Sequence, residues 1–93
     1  MNSKTDLWID SRREEIISAL QKLITFKSVS CRSDVPGEPF GPECKKALTH
    51  TLSLCEDMGF KPVDMDGYIG YADYGKGEET LGILTHLDVV PEG

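Results

Sequence analysis

The residues of this sequence best suited to chemistry are a histidine and an aspartate one residue apart, His86 and Asp88. They follow a short apolar run, residues 80–85, of the kind found in strands that are buried on both faces. In an extended chain, residues i and i+2 project to the same side, so the two side chains should lie together at the carboxyl end of that strand. This is the edge at which α/β sheets bind ligands. An imidazole that binds zinc through one nitrogen commonly donates its other N–H to a carboxylate, so the pair predicts a metal ligand beside its orienting partner.

On its own, this His-x-Asp pattern is a weak signal. A lone histidine next to an apolar run is more often a structural residue that is held by hydrogen bonds. Zinc also requires three or four ligands, and one histidine supplies a single one. The motif by itself therefore leaves both interpretations open, a structural histidine and a metal ligand.

The second histidine and the three cysteines have simpler explanations than metal binding. His50 lies off the apolar stripe of a predicted helix, which places it in solvent. Cys44 and Cys55 lie on that stripe and are expected to pack as small apolar side chains. Cys31 belongs to a loop and has no base partner that is apparent in the sequence. The Gly-x-Gly at 75–77 precedes a strand, so it predicts a hairpin turn and not a phosphate-binding loop.

Two helices are predicted to precede the strand that carries the histidine. Apolar residues at helical spacing predict the first over residues 6–26, with Ser3 or Thr5 able to cap its start. Pro42 suits the first turn of the second helix, because the N–H that proline lacks would be unpaired there. Gly59 supplies the left-handed residue that ends this helix.

The loop between the helices, residues 28–42, is long for a connection in a compact domain. Prolines at positions 36, 39 and 42 exclude regular structure from it. Loops of this length are usually functional or disordered. This loop, with Ser28, Ser30 and Phe40-Gly41, either approaches the active site of a whole enzyme or is a plain surface crossing.

The period changes from helix to strand after Gly59. Residues 60–65 and 68–74 predict two strands, and Asp66-Gly67 between them is a hairpin-turn signal. The apolar run at 80–85 predicts a third strand, the most buried of the three. Few residues follow it to provide the neighbours and covering layers of a buried strand, so the pattern predicts an incomplete domain.

The composition limits the classes of partner. The 93 residues carry a formal charge of −6, so the chain gains nothing from counterion release and no nucleic-acid partner is expected. No stretch approaches membrane-spanning length and the opening residues lack the apolar core of a signal peptide, so no membrane partner is expected. Three cysteines, an odd number without a C-x-x-C pair, fit reduced thiols in a cytoplasmic protein.

The segment from Gly82 to Pro91, GILTHLDVVP, closely resembles the first metal-binding segment of the zinc metallopeptidases that include aminoacylases, succinyl-diaminopimelate desuccinylase and bacterial dipeptidases. The typical pattern there is G-H-x-D-x-V-P, and Thr85 stands here where glycine is usual. The resemblance extends over residues 39–42, the second helix, residues 56–60, the Asp66-Gly67-Tyr68 turn and residues 74–79. These features look like the PepV-type dipeptidases in particular.

The resemblance implies a fold of the α/β class. Residues 1–93 would be the N-terminal part of a zinc-exopeptidase-like α/β/α sandwich, built as helix-loop-helix followed by three strands of a mixed sheet. They would form an incomplete portion of the catalytic domain, with the rest of that domain and a lid domain absent.

The resemblance also implies a site with two zinc ions. By matching position, His86 would be a ligand to one zinc ion and Asp88 the catalytic-site residue that steadies its imidazole, with no further cofactor-binding residue. The activity implied is hydrolysis of short unblocked peptides by a zinc-activated water. The family's bridging aspartate and glutamate general base would lie beyond residue 93, so these 93 residues alone are expected to be inactive.

Two other functions are compatible with the sequence. The same metal site would serve an acyl-amino-acid deacylase or a desuccinylase of the same family. A different class is a non-catalytic α/β module that binds a partner through its unfinished sheet, because an exposed apolar strand edge readily pairs with another chain. The same unpaired edge predicts that the 93-residue chain self-associates.

Overall fold

The computed structural model describes residues 3–92, so residues 1, 2 and 93 of the predicted segment 1–93 lie outside the described part. Three helices come first and a two-stranded antiparallel sheet follows. The elements are α1 (Lys4–Ser11), α2 (Arg13–Leu23), α3 (Pro42–Asp57), β1 (Lys61–Met65) and β2 (Ile69–Asp73). This mixture of helix and sheet is compatible with the predicted α/β class. It does not confirm the three-stranded sheet or the sandwich.

The predicted first helix is divided into α1 and α2 at Arg12. Ser3 caps α1 and forms a capping box with Asp6, which satisfies two backbone N–H groups of the first turn. At the other end, the Ser11 hydroxyl donates to the carbonyl of Trp8 at 2.6 Å. The Arg12 backbone then leaves helical geometry, with φ −103° and ψ 10°. The break thus coincides with a side-chain hydrogen bond of the type that competes with the helical ladder.

Both predicted ends of α3 are confirmed. Pro42 occupies its first turn, and Gly59 follows its last residues with a φ of +95°. The N–H of Phe60 donates to the carbonyl of Cys55 at 3.0 Å, and the N–H of Gly59 donates to the carbonyl of Glu56 at 3.0 Å. These two bonds form a Schellman motif, which satisfies carbonyls that the helix end leaves free.

The hairpin predicted at Asp66-Gly67 is also confirmed. β1 and β2 pair in antiparallel register, with Met65 opposite Ile69 next to the turn. Asp66 and Gly67 both have positive φ, 55° and 80°, as type I′ turns require. β2 packs on α3 at Gly70, where an added Cβ would lie 2.7 Å from a methyl group of Leu48. The hairpin therefore rests on the apolar stripe of α3.

The predicted third strand is not found in residues 80–85, which have no regular secondary structure. The prediction that this run is buried is wrong for the described chain: Leu81, Ile83 and Leu84 are 87%, 86% and 90% exposed. An extended segment becomes a strand only when a neighbour satisfies its backbone groups. Only β1 and β2 form a sheet among residues 3–92, and this run does not join them.

Many large apolar side chains of the described chain are exposed to solvent. Its accessible surface is 8153 Å², whereas a compact monomer of this mass exposes about 5,400 Å². The radius of gyration is 15.5 Å, against about 12 Å for a compact domain of this length. Ala47 is the one apolar side chain among the described residues that is fully buried. Despite these exposed apolar side chains, no helix in residues 3–92 has the length and apolar character needed to cross a membrane.

Candidate functional site

The segment that carries His86 and Asp88 is held by the beginning of the long loop. The N–H of Val89 donates to the carbonyl of Ser28 at 3.0 Å. The hydroxyl of Ser28 donates to the carbonyl of Leu87 at 2.8 Å. Val29 and Val89 form an isolated parallel bridge beside these bonds. Of the two interpretations of the loop, the structure supports the one in which it reaches the candidate site.

His86 and Asp88 are in direct contact, as their spacing predicted, although no strand presents them. Nδ1 of His86 lies 3.0 Å from the main-chain carbonyl oxygen of Asp88 and 3.3 Å from its carboxylate Oδ1. The side chains are 81% and 57% exposed. The contact is therefore made at the protein surface, between residues two positions apart in a segment without regular secondary structure.

The contact with the main chain determines which ring nitrogen of His86 carries a proton. A carbonyl oxygen accepts hydrogen bonds and cannot donate them, so the hydrogen bond to Asp88 requires a proton on Nδ1. In a neutral imidazole this leaves the lone pair on Nε2. Because the side chain is largely exposed, Nε2 is accessible from solvent. This is the tautomer in which a histidine binds a metal ion through Nε2 while Nδ1–H is held by an acceptor.

The described residues provide one candidate ligand and no complete metal centre. Among residues 3–92, no group of three or more His, Cys, Asp or Glu side chains is placed to hold a metal ion. A zinc ion is held by four protein ligands in structural sites and by three protein ligands and a water molecule in catalytic sites. His86 fits the ligand chemistry through its Nε2 lone pair, and a metal centre built on it requires further ligands.

His50 does not lie in solvent as predicted. It is half-buried, and its ring centroid lies 5.3 Å from that of Phe26. The turn after α2 brings Phe26 against α3. The prediction used only the spacing of apolar residues within α3, which carries no information about a contact from another segment. His50 is therefore a packing residue, remote in sequence from the His86 segment.

The thiol of Cys44 has a part in holding the same loop. It is half-buried and donates from Sγ to the carbonyl of Ser28 at 3.4 Å. Burial raises the pKa of the Cys44 thiol, and the negative charge of Asp88 raises it further. The protonated thiol is the form that this hydrogen bond requires. The prediction of a small packing residue thus missed its role as a donor. Cys31 and Cys55, like Cys44, form no disulfide in the described part of the chain.

Ser28 is the residue at the site that the sequence did not identify. It was placed in a loop near the site without a specific role, yet it contacts both neighbours of Asp88 in the chain. The hydrogen bond to Leu87 spans 59 residues. No local pattern encodes a contact of that range, so the sequence offered no signal for it.

Comparison with known proteins gives relatives over nearly the whole chain, while no family model matches. The chain is 36% identical over 83 residues, 88% of its length, to the Bacillus subtilis protein named "Putative dipeptidase YtjP". It is 35% identical over 91 residues, 94% of its length, to the Staphylococcus haemolyticus protein named "Putative dipeptidase SH1171". These stretches are 18% and 19% of the two relatives. The chain therefore spans about a fifth of the length of the curated relatives it matches.

Proposed function

We propose that this chain is the N-terminal portion of the catalytic domain of a zinc-dependent dipeptidase of the PepV type. The observation that carries the proposal is the contact between Nδ1 of His86 and Asp88, because it leaves the Nε2 lone pair accessible to a metal ion. Both relatives carry the name "Putative dipeptidase", and these names support the substrate class. The resemblance of residues 82–91 to a metal-binding segment supports zinc as the metal.

The exposed apolar run before His86 is consistent with a larger domain. In an α/β/α sandwich such a run forms a strand that is paired and covered on both faces. Leu81, Ile83 and Leu84 are exposed in the chain described here. We propose that further polypeptide pairs with this run and covers it, and that this completes the sandwich and the metal centre together.

In the proposed site, His86 binds one of two zinc ions through Nε2, and Asp88 fixes the orientation of the ring. Bound zinc supplies Lewis-acid polarisation of the peptide carbonyl and activation of water. Two acceptors on Asp88, its main-chain carbonyl and its carboxylate, restrain rotation of the imidazole. In the family that the sequence resembles, the general base would lie beyond residue 93, and we propose that residues 1–93 alone are inactive.

The proposed substrates are short peptides with a free amino group, and the proposed compartment is the cytoplasm. The three free cysteines support a reducing compartment. The acidic net charge of −6 is consistent with small-molecule chemistry and not with nucleic acid.

The proposal is tested on the complete protein that contains this chain. Unblocked dipeptides and N-acyl amino acids are supplied in parallel, before and after removal of metal by a chelator. Hydrolysis of dipeptides that is lost on chelation and restored by zinc is the expected result. Hydrolysis of the acylated substrates alone would identify a deacylase instead. A protein that holds no metal and hydrolyses neither class would overturn the enzymatic assignment in favour of an interaction module.

A further inference from the structure

Ser28 is an unusual residue in this chain because it is polar and almost completely buried. It is 4% exposed, and it is the polar residue that the described part of the chain buries. Burying a hydroxyl is unfavourable unless it is hydrogen-bonded. Most apolar side chains of the described chain are exposed, yet this polar residue is buried, which indicates that Ser28 lies at a specific contact between the loop and the segment that carries His86.

The hydrogen bonds of Ser28 hold the two peptide groups that flank Asp88. Its hydroxyl donates to the carbonyl of Leu87, which belongs to the peptide group before Asp88. Its carbonyl accepts from the N–H of Val89, which belongs to the peptide group after Asp88. Both peptide planes next to Asp88 are therefore fixed by one residue from the distant loop.

The second of these peptide groups also holds the imidazole. Its N–H, on Val89, donates to Ser28, and its C=O, on Asp88, accepts from Nδ1–H of His86. Hydrogen bonds in such a chain polarise one another, so donation from the N–H end makes the C=O end a better acceptor. The carbonyl of Ser28 belongs to the main chain and remains whatever residue occupies position 28, so the hydroxyl acts on the ring indirectly. Its hydrogen bond to Leu87 holds residues 87–89 against the loop, which keeps the carbonyl of Ser28 within reach of the N–H of Val89.

We propose that Ser28 is a positioning residue that selects the Nδ1–H tautomer of His86 and so presents Nε2 to a metal ion. This inference rests on the proposed function for the metal itself. Its first link, the effect of Ser28 on the His86 tautomer, is independent of any metal. Cys44 supports the arrangement from α3, because its thiol donates to the same carbonyl of Ser28.

The test compares two pairs of variants in the complete protein that contains this chain. Ser28→Ala removes the hydroxyl, and Ser30→Ala is the matched control, since Ser30 is an exposed serine of the same loop. Ser28→Thr and Ser28→Val form the second pair. They have nearly the same shape and differ in the hydroxyl, so a packing effect is common to both.

Two measurements are made on each variant. The tautomer of His86 is read in the metal-free protein by nitrogen NMR of labelled histidine at alkaline pH, where imidazole is neutral. Its signal is identified by its loss in His86→Ala. Zinc affinity is measured by competition with a chelator. Loss of a group that orients a metal-binding histidine lowers metal affinity by about 10- to 100-fold, and about tenfold is expected for Ser28→Ala.

The expected result is a shift of His86 towards the Nε2–H tautomer and weaker zinc binding in Ser28→Ala and Ser28→Val. Ser28→Thr and Ser30→Ala should resemble the wild type. If Ser28→Ala does not fold, the threonine and valine pair decides. Equal tautomers in threonine and valine variants would overturn the inference, even if zinc binds at His86. A protein that binds no zinc but shows the tautomer shift would instead overturn the proposed function and leave the role of Ser28 standing.

Discussion

Nδ1 of His86 contacts two acceptors on Asp88. It lies 3.0 Å from the main-chain carbonyl oxygen and 3.3 Å from the carboxylate oxygen Oδ1. The two acceptors are not equivalent. A carboxylate can be removed by substitution, whereas the main-chain carbonyl is present whatever residue occupies position 88. The imidazole therefore has a restraint that mutation of the aspartate side chain does not abolish.

Asp88→Asn in the complete protein should lower zinc affinity by about tenfold, the lower end of the range for residues that orient metal-binding histidines. The loss is limited because the main-chain carbonyl still accepts from Nδ1. Asp34→Asn is the matched control, since Asp34 is an exposed aspartate of the loop. Competition with a chelator measures the affinity. An unchanged affinity, or a loss as large as that of His86→Ala, would contradict this role for the carboxylate.

The ion pair between Lys45 of α3 and Asp64 of β1 should make stability depend on pH. The hydrogen bond from Lys45 lowers the pKa of the Asp64 carboxyl, partial burial opposes this, and the N–H of Gly67 lowers it further. Because the folded pKa lies below the unfolded value near 3.8, the contribution is present above that value. It is lost as pH falls through the folded pKa.

Asp64→Asn should therefore reduce the free energy of unfolding by about 1 kcal/mol at neutral pH. The difference from wild type should shrink towards zero as pH falls below about 3.8 and through the lowered folded pKa, because the carboxyl then becomes protonated in both states. Urea unfolding followed by circular dichroism at neutral pH and at a series of acidic pH values measures it. Asp73→Asn is the control, because Asp73 lies exposed on β2. A difference that persists unchanged in acid would show that the ion pair is not its source.

The long loop packs on the turn of the hairpin. Substitutions at two glycines, Gly67 and Gly75, allow the energy of this contact to be distinguished from the cost of backbone strain. Gly67 and Gly75 have nearly the same φ, +80° and +85°. A Cβ on Gly67 would overlap the carbonyl oxygen of Gly37 in the loop, whereas a Cβ on Gly75 meets nothing within 4 Å. Phe40 and Tyr68 make an edge-to-face contact beside this point, with ring centroids 5.8 Å apart.

Gly75→Ala should destabilise the chain by about 1 kcal/mol, from the positive φ alone. Gly67→Ala should cost about 2 kcal/mol more, because the backbone of the loop must move. The difference between the free energies of unfolding of the two variants gives the energetic cost of displacing the loop at Gly67. If the two substitutions have equal effects, the loop does not rest on the hairpin turn as the structure describes.

The exposed apolar run before His86 should cause the 93-residue chain to self-associate. Its side chains Leu81, Ile83 and Leu84 are almost fully exposed, and an unpaired extended apolar segment readily pairs with another chain. Leu84→Lys should reduce association, whereas Thr80→Lys, which adds the same charge without removing an apolar side chain, should reduce it less. Sedimentation velocity at several concentrations measures this. A monodisperse wild-type monomer with a sharp unfolding transition would contradict the expectation.

The features predicted correctly are those that a few neighbouring residues determine. Pro42 and Gly59 bound α3 and Asp66-Gly67 turns the hairpin through their backbone preferences, and Ser3 caps α1 through its side chain. The contact of His86 with Asp88 is also local, since one residue separates them. These signals are contained in windows of four or five residues.

The features that were missed depend on partners distant in the sequence. The run at 80–85 has the composition of a buried strand, but no neighbouring strand pairs with it among residues 3–92. His50 is half-buried because Phe26 reaches it from another helix. Ser28 holds the site across 59 residues of sequence. Composition reports the tendency of a segment, and its partners decide whether that tendency is realised.

The measurement that tests the central claim most directly compares the two histidines of this chain in the complete protein. Zinc content after dialysis is determined for wild type, His86→Ala and His50→Ala. The account predicts that His86→Ala loses zinc and dipeptide hydrolysis, because the Nε2 ligand is gone. His50→Ala should keep both, since its ring packs against Phe26. Full zinc content and undiminished hydrolysis in His86→Ala would contradict the account.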